Sequence, residues 1–149
     1  MVLPNDANLL GNVLGGRVLH WIDIAAAICA QRHCRRQVVT ASMDRVDFLH
    51  PIKVGQLMIL KASVNFVSNT SMEVGVQVRS EVPMSGEGRQ TATAYTTFVA
   101  LDDLGHPTRV PPILAETEVE KRRLSDGKER RRVRLEEIAR RRGRKVAKK

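Results

Sequence analysis

Hydrophobic residues near the start of the chain follow a helical pattern. Residues 15–33 place apolar side chains on almost every side of a helix, among them Val18, Ile22 and Ile28. A helix without a wide polar face is normally enclosed by the rest of a protein. The pattern therefore predicts one long core helix over residues 15–33, entered through the adjacent glycines Gly15 and Gly16.

Four later segments have the features of β-strands: two of them alternate apolar and polar residues (57–67 and 72–82), one is rich in β-branched residues (38–48), and one is rich in Thr, Ala, Tyr and Phe (90–101). Turn-forming residues separate them. In the segment 57–67, alternation predicts one apolar face formed by Met58, Leu60, Ala62, Val64 and Phe66. One apolar helix followed by long antiparallel strands that can curl around it predicts an α+β fold.

The net charge of +9 lies entirely at the C-terminal end. Residues 1–117 hold ten basic and ten acidic residues, whereas residues 118–149 hold fifteen basic and six acidic residues and no aromatic residue. We therefore divide the chain into a domain over 1–117 and a basic helical or disordered tail over 118–149, with helix expected from residue 111 and an interruption at Gly127. A tail without stacking groups is not typical of sequence-specific nucleic-acid binding.

Other patterns exclude several classes of protein. No apolar segment reaches the length of a membrane span, and residues 1–12 do not have the pattern of a secretory signal peptide, so we expect a cytoplasmic protein that does not bind membranes. Cys29 and Cys34 do not form a CxxC motif, and His33 between them completes no zinc site. We therefore expect no bound metal.

Asp23 is a candidate catalytic residue, because its carboxylate lies in the middle of the predicted core helix. A buried carboxylate is costly unless it is hydrogen-bonded or neutralised. Alternatively, residues at three- and four-residue spacing could form a narrow solvated stripe that includes Asp23; they are Arg17, His20, Ala27 and Gln31. Gly15 and Gly16 let a ligand approach the backbone, and the first N–H groups of a helix have no internal partners. Asp23 is about 10 to 12 Å along the axis from Gly15, a spacing that permits a bent substrate or a neighbouring subunit to bring both to one carbonyl but is not diagnostic by itself.

Separated motifs occur in a specific order: LPNDAN at 3–8, GNVLGG at 11–16, IDIAA at 22–26, VVTAS at 38–42, SNTSME at 68–73 and FVAL at 98–101. Together they resemble the hotdog-fold acyl-CoA thioesterases, in the branch of the bacterial broad-range and mammalian cytosolic acyl-CoA hydrolases. The resemblance implies a five-stranded antiparallel sheet wrapped around one long helix. Because the pattern yields four strands, the fifth is expected from residues 1–3 or from sequence preceding them.

The resemblance also implies an activity, the hydrolysis of fatty acyl-CoA to a fatty acid and coenzyme A. Asp23 and Asn12 would be its catalytic residues, contributed by opposite subunits of a homodimer within a trimer of dimers. The backbone amides of Leu14, Gly15 and Gly16 would bind the oxyanion. Asp23 would act either as a general base or as a nucleophile that forms an anhydride, and both routes stay open. No cofactor is implied, since coenzyme A is part of the substrate.

The turn at 68–71 would lie along the coenzyme A moiety through Ser68, Asn69, Thr70 and Ser71. Basic side chains, including some of the tail, would contact the nucleotide phosphates. An ordinary hairpin turn is the alternative interpretation of this segment. For the whole chain, a non-catalytic acyl-CoA-binding protein and a nucleic-acid-associated protein are the competing hypotheses. We expect hydrolysis largely to survive deletion of residues 128–149.

Overall fold

Five antiparallel strands form one sheet in the computed structural model, which describes residues 1–44 and 46–146. A short 3₁₀ helix, Pro4–Asp6, precedes helix α1, Gly15–Cys34. The strands are β1 Gln37–Met43, β2 Asp47–Phe48, β3 Leu57–Val67, β4 Ser71–Glu81 and β5 Gly88–Leu101, and helix α2, Glu118–Val146, follows. The order in the sheet is β1-β5-β4-β3, and β2 also pairs with β5. The predicted α+β fold, a five-stranded antiparallel sheet with one long helix against it, is confirmed.

The core lies between α1 and one face of the sheet. Helix α1 buries one stripe of residues spaced four apart, namely Val18, Ile22, Ala26, Ala30 and Cys34. Residues four apart lie on the same face of a helix. Alternate residues of the two central strands meet this stripe: Met72, Val74, Val76 and Val78 from β4, and Ala92, Ala94, Phe98 and Ala100 from β5. The alternation predicted from the sequence thus corresponds to burial on one face.

Helix α1 is less enclosed within this chain than its composition suggests. Ile24 is 43% exposed and Ile28 is 51% exposed. Together with Trp21 of the helix and with Met58 and Leu60 of β3, they line an apolar cavity of about 340 Å³. The sheet therefore fully buries one stripe of α1 and partly covers Ala27 and Cys29 beside it, whereas Ile24 and Ile28 stay exposed in the single chain.

The fifth strand does not come from residues 1–3, so that expectation was wrong. The segment predicted as one strand over 38–48 divides into β1 and β2, and both pair with β5. Register against β5 shifts between Thr40 and Ser42, and such bulges bend a strand. Val2 is buried and exchanges two backbone hydrogen bonds with Gly55 and Gln56, but residues 1–3 form no strand.

The predicted apolar face of β3 was wrong at one residue, Phe66. A register shift between Val64 and Phe66 reverses the alternation at the end of the strand. Val67 therefore packs against the core after Val64, whereas the Cβ of Phe66 faces Gly127 of α2 on the opposite side of the sheet. The bulge thus gives β3 an apolar contact with the second helix.

Helix α2 begins later than predicted and is not interrupted at Gly127. Its start at Glu118 is fixed by a capping box: the Glu120 carboxylate accepts a hydrogen bond from the Thr117 N–H at 2.9 Å, and the Thr117 hydroxyl accepts one from the Glu120 N–H at 3.2 Å. The Thr117 N–H lowers the pKa of Glu120. Gly127 is buried within the continuous helix, where it faces the sheet. The division of the chain at residue 117 into a domain and a tail stays a prediction.

Within the described residues, neither helix combines the length and hydropathy that a membrane span requires.

Candidate active site

Asp23 is half-buried on α1 and is held by a residue of β1. The hydroxyl of Thr40 donates a hydrogen bond of 2.8 Å to Asp23 Oδ1. Asp23 is therefore neither enclosed in the core nor a free surface carboxylate, the two alternatives that periodicity left open. The hydrogen bond fixes one carboxylate oxygen, and the partly open position leaves the group accessible. Thr40 was missed as a site residue, because an exposed threonine on a strand has no distinguishing pattern.

The N-terminus of α1 presents the backbone amides of Gly15 and Gly16. Neither amide makes a hydrogen bond among the residues that the structure describes. The Leu14 N–H donates to the Asp6 carbonyl at 2.8 Å, so the expectation that Leu14 also supplies a free amide was wrong. A Cβ on Gly15 would make only ordinary contact with Phe48, and one on Gly16 would meet open space. Packing within the chain therefore does not require glycine at either position.

A cavity of about 270 Å³ lies beside this helix terminus. Two of the predicted site residues, Asn12 and Gly15, line it together with Phe48, His50 and Thr91. Asp23 does not line this cavity, and it is eight residues from Gly15, or about 12 Å along the helix axis. The single chain therefore places Asn12 and Gly15 together and Asp23 apart from them.

The loop before α1 is organised by Asn8. Its side-chain oxygen accepts hydrogen bonds from the N–H groups of Leu10 at 3.0 Å and Asn12 at 3.2 Å. Gly11 closes the loop with a φ of 73°, a conformation that favours glycine. Leu9 and Leu10 lie fully exposed at its tip. An apolar tip of this kind is typical of a contact surface.

The predicted coenzyme A turn borders a larger cavity of about 720 Å³. Ser68 and Asn69 line it, but Thr70 and Ser71 do not. The opposite walls come from the segment after β5, including Arg109 and Pro111, and from Leu124 of α2. No hydrogen bond or ion pair engages the Arg109 guanidinium within the described part of the chain. Arg109 was missed, because a single arginine in an irregular segment has no sequence signal.

A buried ion pair lies near this cavity, on the face of the sheet opposite α1. Glu73 is 1% exposed, and Arg130 of α2 contacts both of its oxygens, with Nη2 2.7 Å from Oε1 and Nε 3.1 Å from Oε2. Arg130 also lies 3.7 Å above the ring of Tyr95. Burial disfavours the charged guanidinium, but the hydrogen bonds and charge of Glu73 outweigh it and raise the pKa of Arg130. Sequence reasoning missed this pair because it joins residues 57 positions apart.

Residues 1–44 and 46–146 contain no group of three or more His, Cys, Asp or Glu side chains arranged to bind a metal.

Comparison with known proteins identifies relatives along most of the chain. The model of the thioesterase superfamily matches residues 10–87. YkhA of Bacillus subtilis, named as an acyl-CoA thioester hydrolase, is 48% identical over 119 residues, which cover 80% of this chain and 69% of YkhA.

Two solved structures are similar over nearly their whole length. A hexameric acyl-CoA thioesterase, described without ligand, superposes with a TM-score of 0.89 at 41% identity and covers 93% of this chain and 89% of its own. The acyl-CoA hydrolase of Staphylococcus aureus, solved with butyryl coenzyme A and coenzyme A, has a TM-score of 0.84 at 41% identity, covering 94% of this chain and 87% of its own.

The S. aureus enzyme has also been solved as three single alanine variants. The replaced residues are an asparagine, an aspartate and a threonine. The asparagine precedes the aspartate by fifteen positions, and the threonine follows the aspartate by seventeen.

Proposed function

The chain belongs to the thioesterase superfamily, and from this membership we propose that it hydrolyses the thioester of fatty acyl-CoA to a free fatty acid and coenzyme A. One observation carries the proposal. Asn8, Asp23 and Thr40 have the same spacing in this chain as the three residues replaced in the S. aureus hydrolase. Two of the three, Asp23 and Thr40, are also hydrogen-bonded to each other here.

Asp23 is the proposed catalytic carboxylate. As a general base it takes a proton from water, whose oxygen attacks the thioester carbonyl carbon. The tetrahedral intermediate then breaks its carbon–sulfur bond, and the proton passes to the departing thiolate. In the alternative route, a carboxylate oxygen of Asp23 attacks the carbonyl carbon, and the carbon–sulfur bond breaks to give an anhydride and the coenzyme A thiolate, which takes a proton from water. A water molecule then hydrolyses the anhydride, which releases the fatty acid and regenerates the Asp23 carboxylate. In both routes the Thr40 hydroxyl keeps the carboxylate oriented.

The Gly15 and Gly16 amides are the proposed donors to the oxyanion. Neither N–H group donates a hydrogen bond to another described residue, and the positive end of the helix dipole stabilises a negative charge there. Donors that are already fixed in position lower the barrier most, because they need no reorganisation during the reaction.

Two asparagines compete for the remaining catalytic role. Asn12 lines the cavity next to Gly15, as expected for a residue that orients water or the carbonyl. The spacing shared with the S. aureus hydrolase instead favours Asn8, whose side-chain oxygen accepts two hydrogen bonds within the loop, whereas its amide nitrogen makes none with the residues that the structure describes. We therefore propose Asn8 as the catalytic residue and retain Asn12 as the rival prediction.

The separation of these groups within one chain supports a site shared between subunits. Asp23 lies about 12 Å from Gly15 along the helix, so a partner chain is needed to place a carboxylate beside the free amides. β1 is an edge strand, and Leu9, Leu10, Ile24 and Ile28 expose apolar surface that an interface would cover. We propose a homodimer with two composite sites, assembled as a trimer of dimers, and the hexameric relative supports that assembly.

Coenzyme A would occupy the cavity beside Ser68 and Asn69. We propose that Arg109 binds its phosphates, because Arg109 lines this cavity of about 720 Å³ and its guanidinium has no hydrogen-bond or ion-pair partner in the described part of the chain. Thr70 and Ser71 would act through the shape of the turn, since neither lines the cavity. The location remains the cytoplasm, which the two free cysteines, Cys29 and Cys34, support.

A thiol-release assay tests the proposal. Purified full-length protein should release coenzyme A from at least one of a short, a medium and a long acyl-CoA. Asp23→Asn should keep the oligomer and bind coenzyme A, while its kcat falls by about 10² to 10⁴, the usual contribution of a general base. Near-normal turnover by this variant would exclude Asp23 as the catalytic carboxylate. Absence of hydrolysis by the natural sequence across all three substrates would refute the proposed function.

A further inference from the structure

Helix α2 packs against the sheet along one face, and the Arg123 guanidinium beside that face also donates a hydrogen bond of 3.4 Å to the Ser63 hydroxyl of β3. Leu124, Gly127, Arg130 and Arg134 recur at intervals of three and four and are at least half-buried, whereas most of the intervening residues are exposed. Arg134 forms an ion pair of 3.0 Å with Asp44, beyond the end of β1. The basic tail is therefore attached to the body by particular contacts along one face of a helix.

Two of these contacts fix the position of the helix. Arg130 reaches the buried Glu73 with three hydrogen bonds, and a fork that meets both carboxylate oxygens allows little sliding. At Gly127, an added Cβ would lie 2.8 Å from the Cβ of Phe66 and 3.1 Å from Oε1 of Glu73. The helix therefore approaches the sheet as closely as a glycine permits.

The same face of α2 reaches the cavity proposed for coenzyme A. Leu124 lies one turn before Gly127 and forms part of that cavity's wall, opposite Ser68 and Asn69. Glu73 follows Ser71 by two residues on β4. A single ion pair thus connects the strand that leaves the Ser68–Ser71 turn with the helix that closes the space in front of it.

We propose that Glu73, Arg130 and Gly127 are positioning residues that hold α2 as a wall of the coenzyme A cavity. This inference rests on the proposed function and adds that the tail takes part in substrate binding. Loosening α2 removes Leu124 from the cavity but leaves Asp23, Thr40 and the glycine amides in place. The expected effect is therefore on KM, with kcat unchanged.

Arg130→Gln and Gly127→Ala test this inference in the full-length protein. Each should raise KM for a short acyl-CoA, and the dissociation constant of coenzyme A measured by calorimetry, by about tenfold, which corresponds to loss of roughly one good contact. In both variants kcat should stay within about twofold of the natural value. Hydrogen exchange should speed up across α2.

Arg132→Gln is the matched control. Among residues 1–44 and 46–146, the ion-pair partners of Arg132 are Glu129 and Glu136 on its own helix, so this variant loses the same charge without losing a contact to the sheet. It should leave KM unchanged. Gly127→Ala has a second use, because alanine stabilises a helix in solvent. If α2 does not pack against the sheet, Gly127→Ala should slow the amide hydrogen exchange of the helix. If α2 is docked as described, the added methyl group should push it away from the sheet and speed up that exchange.

The outcomes separate the inference from the proposed function. If Arg130→Gln and Gly127→Ala match Arg132→Gln in KM, in coenzyme A affinity and in exchange, the positioning role is refuted. A fall in kcat at unchanged KM also refutes it, since α2 would then act on the chemistry. Should Arg130→Gln fail to fold, Gly127→Ala decides alone because it retains every charge. If the natural protein neither hydrolyses acyl-CoA nor binds coenzyme A, the proposed function fails, and the exchange data still decide whether α2 is docked.

Discussion

Replacing Thr40 by valine should slow hydrolysis without weakening substrate binding. The change removes the hydroxyl that donates a hydrogen bond of 2.8 Å to Asp23 Oδ1, and it keeps the β-branched shape of the side chain. A hydrogen bond to a charged group contributes about 1.5 to 3 kcal/mol. Thr40 is exposed and Asp23 half-buried, so water can partly replace the lost donor and the lower end of this range applies. About 1.4 kcal/mol in the barrier corresponds to a tenfold fall in kcat.

The measurement is a steady-state thiol-release assay with one short acyl-CoA. Thr40→Val should lower kcat by about tenfold and leave KM within about twofold, because the hydroxyl orients a catalytic group and is not proposed to contact the substrate. Thr40→Ser is the matched control, since serine retains the hydroxyl and loses only a methyl group. It should recover most of the activity.

Two results would refute this reasoning. Equal activity of Thr40→Val and the natural protein would mean that the hydrogen bond does not orient Asp23 during turnover. An equal loss in Thr40→Ser and Thr40→Val would mean that the methyl group, through its packing on β1, is what matters. In the second case the melting temperatures of both variants should fall together.

Further predictions concern the asparagine, the core and the tail. Asn8→Ala should lower kcat by about a hundredfold, as loss of one transition-state donor does, and mixing it with Asp23→Asn subunits should restore part of the activity; if Asn12→Ala behaves this way and Asn8→Ala does not, the rival assignment holds. Phe98→Ala should reduce the free energy of unfolding by about 3 to 5 kcal/mol, because Phe98 is 1% exposed; a urea titration showing less than 1 kcal/mol would contradict its place in the core. Truncation after Arg134 should keep KM, whereas deletion of residues 128–149 should raise it, since only the longer deletion removes the ion pairs that Arg130 and Arg134 form with Glu73 and Asp44. Any affinity of the tail for nucleic acid should be independent of sequence and fall steeply with salt.

Patterns repeated over many residues made most of the fold predictable. Helix α1 was placed within one residue of its observed end, and β3, β4 and β5 within two residues of theirs, because each segment is long and turn-forming residues mark its limits. Asp23 was identifiable for a related reason: a carboxylate in an apolar helix contradicts the pattern around it. Its exact degree of burial was not predictable, because the answer depends on where β1 crosses the helix.

Two features were predicted wrongly: the face of β3 on which Phe66 lies and the helix break at Gly127. Both depend on contacts of a single residue with residues far away in the sequence. A one-residue bulge places Phe66 on the other face of β3. An alternating sequence does not indicate at which position a bulge will occur. Gly127 was interpreted as a helix break because glycine is a poor helix former. Its actual role depends on Phe66 and Glu73, which surround it from the sheet, so the two errors have one cause.

The residue counts for residues 1–117 and 118–149 are correct, but they do not reveal that charges of the two parts pair with each other. Counting assigns a net charge of zero to residues 1–117 and the whole +9 to the remainder, which suggests a basic appendage free to bind polyanions. In the structure, Arg130 and Arg134 neutralise Glu73 and Asp44 of the body. Removing these arginines would leave a buried carboxylate without its partner, and such a charge is strongly destabilising. Part of the tail's positive charge therefore belongs to the electrostatic balance of the folded sheet, which is why a deletion that includes Arg130 cannot be treated as the loss of a passive extension.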